Sequence, residues 1–238
     1  MPLLASAGAS AQETVAQPPS LQVVTSIRPL ALIANDILGA RGSAVALIDG
    51  GDSPHHYALT PSARLRAARA DFLLWVGAGL EVSLTGLFAG REDLITAQSL
   101  DDITLLSLDH LHPDLHLWLN TDNARAIAAA VARFASVRDP GNADYYAQRL
   151  ADFDAEQRAN SAAIDRALRA PGAAEPASAL GGYAVYHDAY QYFEQQFGLT
   201  HALVLVHDPE RSPSIRELAE TRAALALARP VCLLVEPD

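Results

Sequence analysis

Cysteine occurs once in the 238 residues, at Cys232, and that scarcity excludes every cysteine-built zinc module and any internal disulfide. A bound metal would have to be held by histidine and carboxylate. No Lys/Arg-rich run occurs, and the formal charge is −11, which argues against nucleic acid or anionic lipid as a partner and suits a cation. No stretch reaches the roughly 20 apolar residues of a membrane span, so the mature chain is expected to be soluble. Also missing are His-Glu-x-x-His, Gly-x-Ser-x-Gly and Gly-x-x-x-x-Gly-Lys, the short signatures of metalloproteases, serine hydrolases and phosphate loops.

What is present is apolar. Half of the residues (50%) are hydrophobic, enough to bury a sizeable core in one large domain or two lobes. Residues 1–11 are small and apolar, with Ala9-Ser10-Ala11 ahead of the polar Gln12-Glu13-Thr14. They read as the last half of a signal peptide without its basic n-region, so export is expected. An unpaired cysteine in an exported chain points to a partner outside this sequence.

Three histidines stand in separate contexts: His55 in Ser-Pro-His-His-Tyr, His116 in Asp-Leu-His-Leu-Trp-Leu and His187 in Tyr-His-Asp-Ala-Tyr. They are roughly 60 to 70 residues apart, which suggests a metal held in a cleft where distant strands converge and not a local finger. Each taken alone reads more simply as a structural histidine. It is their joint placement that carries the ligand reading.

Leu21-Gln22-Val23-Val24-Thr25-Ser26 reads as a strand, followed by a helix over 30–38 with a stop at Gly39. Residues 44–48 form a second apolar run before Gly50-Gly51-Asp52-Ser53-Pro54, and Thr60-Pro61-Ser62 can cap a helix over 64–70. Phe72-Leu73-Leu74-Trp75-Val76 is a third strand. Helical patterns cover 123–135 and 142–168, and strands are expected at 183–186, 202–206 and 231–235. Continuous apolar strands alternating with helices predict an α/β fold with parallel sheets covered on both faces. Ligands of such sheets bind beyond the strands' carboxyl ends, where His55 and His187 fall.

The ordered set of motifs is more specific than any one of them. It comprises Ser26-Ile27-Arg28-Pro29-Leu30, Ser53-Pro54-His55-His56-Tyr57-Ala58-Leu59 with Pro61-Ser62, Ala70-Asp71 leading to Trp75-Val76-Gly77, and His116-Leu117-Trp118-Leu119. It continues through His187-Asp188-Ala189-Tyr190-Gln191-Tyr192-Phe193, Phe197-Gly198-Leu199, Pro209-Glu210 and Glu236-Pro237. The set resembles the periplasmic metal-binding proteins of bacterial ABC importers, in particular their zinc-uptake branch. The resemblance implies two lobes, each a mainly parallel sheet flanked by helices, joined by one long linking helix with the metal between them. Residues 1–20 would then be a signal-peptide remnant or disordered tail, 21–140 the N-terminal lobe, 141–170 the linking helix and 171–238 a partial C-terminal lobe.

Matched residue by residue, the resemblance puts the metal ligands on His55, His116 and His187. The manganese-binding branch has a carboxylate in the third place, so His187 favours Zn²⁺, which imidazole nitrogen suits better than it suits the harder Mn²⁺. Zinc-branch members often carry a His-rich acidic loop before the His116 motif. Here Asp109-His110-Leu111-His112-Pro113-Asp114 is either its vestige, with His110 and His112 as auxiliary metal residues, or a surface loop without a role. His56 reads as an exposed neighbour, His201 and His207 match no family ligand, and Asp101-Asp102 reads as a capping or solvated pair.

Family members continue past Glu236-Pro237 for another helix, a strand with an Asp-containing turn near the metal, and a final helix. The fourth coordination position would therefore fall to water or to Glu236. Cys232 stands where zinc-branch members often place half of a disulfide. A sheet without its last strand is also expected to expose apolar surface and an unpaired edge.

The function so implied is high-affinity zinc capture in the periplasm by a monomer, with delivery to an ABC transporter membrane permease and no enzymatic turnover. The alternatives are a manganese- or iron-binding member of the same transport family, a zinc hydrolase with an open three-histidine site, and a non-functional truncated relative. Histidine ligates only when neutral, so metal capture is expected to weaken as pH falls through about 6.5.

Overall fold

The computed structural model describes residues 20–48, 57–109, 112–170, 182–206 and 213–235. It opens with β1 (Leu21–Ile27), whose near-continuous burial is that of a strand covered on both faces. Pro29 in the first turn then starts α1 (Arg28–Leu38). Gly39 ends that helix with φ of 49°, and a Cβ there would overlap the Tyr145 side chain. β2 (Gly42–Ile48) returns parallel to β1.

Thr60 caps α2 (Pro61–Arg69) by accepting from the Ala63 N–H at 3.2 Å. The fully buried β3 (Phe72–Trp75), the short α3 (Thr85–Phe88) and β4 (Leu94–Thr96) follow. These strands form a parallel sheet in the order β2-β1-β3-β4. A small antiparallel hairpin of β5 (Leu106–Asp109) and β6 (His112–Asp114) then leads through a 3₁₀ turn at Leu117–Leu119 into α4 (Thr121–Arg138). Asn120 caps α4 by accepting from the Asp122 and Asn123 N–H groups.

α5 (Ala143–Leu168) is the long helix, 26 residues and so about 39 Å at 1.5 Å per residue. Only Tyr146 and Phe153 along it are buried, as suits a helix that spans between bodies and does not fill a core. It is fastened to α4 where Arg125 grips Asp154 with both arms of its fork, at 2.9 and 3.0 Å. Beyond it, β7 (Tyr183–His187), α6 (Gln191–Phe197), β8 (Leu203–Val206), α7 (Ile215–Ala228) and β9 (Cys232–Leu234) build the second lobe. Its sheet is again parallel, in the order β8-β7-β9.

The molecule is therefore two α/β lobes with parallel sheets flanked by helices, and the lobes are unequally packed. Leu30, Ile37, Leu73, Leu74, Ile127 and Val131 are sealed in the first lobe. In the second, β9 is exposed along its whole length and α7 has no buried residue. Cys232 lies exposed on that edge strand. Asp101 and Asp102 occupy an exposed turn, so of the two roles read from sequence the solvated one holds. Among the described residues no helix is long and apolar enough to cross a membrane.

The Arg125 guanidinium holds the Asp154 carboxyl below the usual carboxylate range. A group whose pKa is depressed on folding contributes stability that is complete above its unfolded value, near pH 4, and fades as pH falls through the folded value. Asp154→Asn is therefore expected to lower the melting temperature at pH 7, with the difference from the wild type shrinking towards acid. Equal melting temperatures at pH 7 would contradict this, and a pair of scans at the two pH values decides it.

Candidate metal centre

His116 and His187 belong to different lobes and meet with their rings tilted by 54°. Their ring centroids are 5.1 Å apart and their Nε2 atoms 3.2 Å apart. Two nitrogens on one tetrahedral zinc, each about 2.0 to 2.1 Å from the ion, stand roughly 3.3 Å from one another. The observed separation is close to that of a ligand pair.

His116 is delivered by the chain's exit from β6. Leu115 and Leu117 on either side of it are buried in the first lobe's core, so the backbone is anchored while the imidazole stays near the surface, 12% exposed. Asp114 sets its orientation. One oxygen of that fully buried carboxylate accepts both the His116 backbone N–H, at 2.9 Å, and the ring Nδ1–H, at 2.8 Å. With Nδ1 donating, the neutral ring carries its lone pair on Nε2, the atom aimed at His187. The carboxylate also keeps the ring from turning over.

His187 is the last residue of β7, not the first beyond it as the apolar run Tyr183 to Tyr186 suggests. The strand continues because His187 still pairs with Val206. Its anchor is the buried pair Ala184 and Val185. The next residue, Asp188, accepts from the Gln191 side chain at 3.1 Å. The second carboxylate oxygen of Asp114 and Oδ1 of Asp188 are both buried with no hydrogen-bond partner among the described residues. Buried acceptors without donors are costly, and a nearby cation offsets that cost.

Of the other residues singled out from sequence, His55, His110 and Glu236 lie outside the described residues, as do His56 and His207. His112 is exposed on β6. His201 is taken up by Glu194, at 2.9 Å. Among the described residues, no group of three or more His, Cys, Asp or Glu side chains gathers to hold a metal. The structure thus brings together two of the three expected ligands.

The carboxyl edge of the first sheet is tied by Glu81, which sequence reasoning does not single out. Its buried carboxylate accepts from the Ser26 hydroxyl at the end of β1, from Val76 N–H at 3.1 Å and from Gly77 N–H at 2.9 Å just past β3. Burial pushes its pKa up against those donors, which pull it down. β2, from whose end the segment carrying His55 departs, lies beside β1 in the same sheet. No local pattern marks Glu81, whereas Asp114 has one, an aspartate two residues before a candidate ligand histidine.

A family model described as zinc-uptake complex component A, periplasmic, matches residues 23–238. The high-affinity zinc uptake system protein ZnuA of Yersinia pestis is 30% identical over 249 residues, covering 92% of this chain and 76% of that protein. The protein of the same name from Paracoccus denitrificans is 29% identical over 279 residues, covering 99% and 81%. A solved structure titled as the crystal structure of ZnuA superposes with a TM-score of 0.74 at 20% identity, covering 91% of this chain and 90% of that one.

Outer-shell partners of a metal-bound histidine are typically worth about 10- to 100-fold in affinity. Asp114→Asn, which keeps the size but weakens the hold on Nδ1–H, is expected to cost metal affinity in that range in a competition titration. An affinity equal to the wild type would show that Asp114 does not orient a ligand.

Proposed function

The chain belongs to the periplasmic zinc-uptake component A family, and we propose that it captures Zn²⁺ between its two lobes with His55, His116 and His187 and hands it to an ABC-type membrane permease. The observation that carries this reading is the 3.2 Å approach of two imidazole nitrogens from different lobes, one of them fixed in the ligating tautomer by a buried carboxylate. Imidazole nitrogen is a donor suited to zinc's borderline softness. The names of the curated relatives, each a high-affinity zinc uptake system protein, support zinc as the cargo.

On this reading the first lobe, 21–140, supplies His55 and His116, the linking helix, 141–170, holds the lobes at a fixed distance, and 171–238 supplies His187. Water or Glu236 completes the tetrahedron. The protein works as a monomer in the periplasm, and the permease receives zinc from a face formed by both lobes. Capture is reversible binding without turnover. Protons compete for the same lone pairs, so the grip on zinc loosens in acid.

A zinc titration of the chain from Gln12 onward tests the proposal, with a triple variant carrying His55→Ala, His116→Ala and His187→Ala alongside. Saturable one-to-one binding that raises the melting temperature, and that disappears in the triple variant, is the expected result. Weak binding unchanged by the substitutions would contradict it.

A further inference from the structure

We propose that Tyr192 and Gln196 of α6 are positioning residues, a strut between the lobes that sets the separation of His116 from His187. The inference rests on the zinc-capture reading and names the part of the fold that makes the ligand pair.

Tyr192 belongs to the second lobe in sequence but to the first in packing. Its ring is 1% exposed, within the same core cluster as Leu115 and Leu117. Its hydroxyl accepts from the Leu106 N–H at 3.0 Å and donates to the Asp114 carbonyl at 2.7 Å. Leu106 and Asp114 are partners across the β5–β6 hairpin, so the hydroxyl sits between two backbone groups that would otherwise be drawn to each other. Asp114 thereby has two duties. Its carbonyl receives Tyr192, and its carboxylate holds His116.

One helical turn on, and on the same side of α6, Gln196 makes the second anchor. Its amide oxygen accepts from Thr121 N–H at 2.9 Å, while its nitrogen donates to the Thr121 hydroxyl at 2.7 Å and to that of Ser161 at 3.1 Å. Thr121 begins α4 and Ser161 lies on α5, so this one side chain joins both to α6. The helix is fixed at two points to the first lobe and to the long helix. His187 ends the strand that leads directly into it. A closed circuit of contacts results, from His187 through α6 and Tyr192 to Asp114 and His116, with the histidine pair as its last link. Loss of the tyrosine hydroxyl would let Leu106 N–H and the Asp114 carbonyl close on one another and draw His116 with them.

The test uses the full chain and Zn²⁺ alone, comparing wild type, Tyr192→Phe, His187→Ala and the double variant. Two readouts are taken: zinc affinity by competition, and the nuclear Overhauser contact between the two imidazole rings in the metal-free protein. Tyr192→Phe is expected to lose about tenfold in zinc affinity, to lose the ring contact, and to add no further loss when His187 is already alanine. A lower melting temperature with unchanged affinity and a retained ring contact would make Tyr192 merely structural and overturn the strut. A wild type that ignores zinc, with a ring contact that still depends on Tyr192, would sink the zinc reading and keep the strut. If Tyr192→Phe does not fold, Gln196→Leu at its half-buried position gives the same two readouts, and no change in either again overturns the proposal.

Discussion

Two imidazole nitrogens held 3.2 Å apart are the constraint on which the rest of this structure turns. Neutral imidazoles gain little from each other in water, and one of this pair is tethered to a buried carboxylate whose second oxygen has no donor among the described residues. Such an arrangement is expensive for a fold to maintain unless a cation repays it. The cost is spread over the structure. Leu115 and Leu117 anchor one histidine, and β7, parallel to both of its neighbours, anchors the other.

The architecture explains why these two residues meet. Parallel sheets leave functional groups at their carboxyl ends, and β7 ends at His187 itself. His116 comes instead from a hairpin lying outside the first sheet, and the aromatic and amide side chains of α6 bridge the gap. The long helix touches the first lobe near its start, where the Tyr145 hydroxyl accepts from the Ala40 N–H just past Gly39 and Tyr146 is buried. Its last third, at Ser161, meets α6 through Gln196. A helix attached at several points along its length, Asp154 among them, limits how far the lobes can swing, and this favours a site assembled in advance over one closed by large domain motion.

Much of this was legible in the sequence because continuous apolar runs leave little choice. β1, β3 and β7 with the helices after the first and before the last were readable from hydrophobic runs, from Pro29 and from Gly39. The hairpin was not. β6 is three residues, His-Pro-Asp, and a proline argues against a strand unless the edge is free. His116 and His187 were visible through a resemblance, but the packing of their supports was not. Asp114 has a local cue in standing two residues before His116, yet nothing in that spacing says that tertiary packing buries it. The motif Tyr190-Gln191-Tyr192-Phe193 offers three aromatic rings, with nothing local to say which one enters the other lobe. Glu81 has the same history, a charged residue in a glycine-bounded turn that folding carries into a core.

X-ray absorption at the zinc edge of the one-to-one complex reads the coordination shell itself. Three imidazole nitrogens, with the multiple-scattering pattern of histidine rings, and one further light ligand are expected, all at about 2.0 to 2.1 Å. His116→Ala and His187→Ala should each remove one imidazole from that shell. A sulfur shell near 2.3 Å, which only Cys232 or Met1 could supply, or a shell of oxygens unchanged by either substitution, would contradict the three-histidine site.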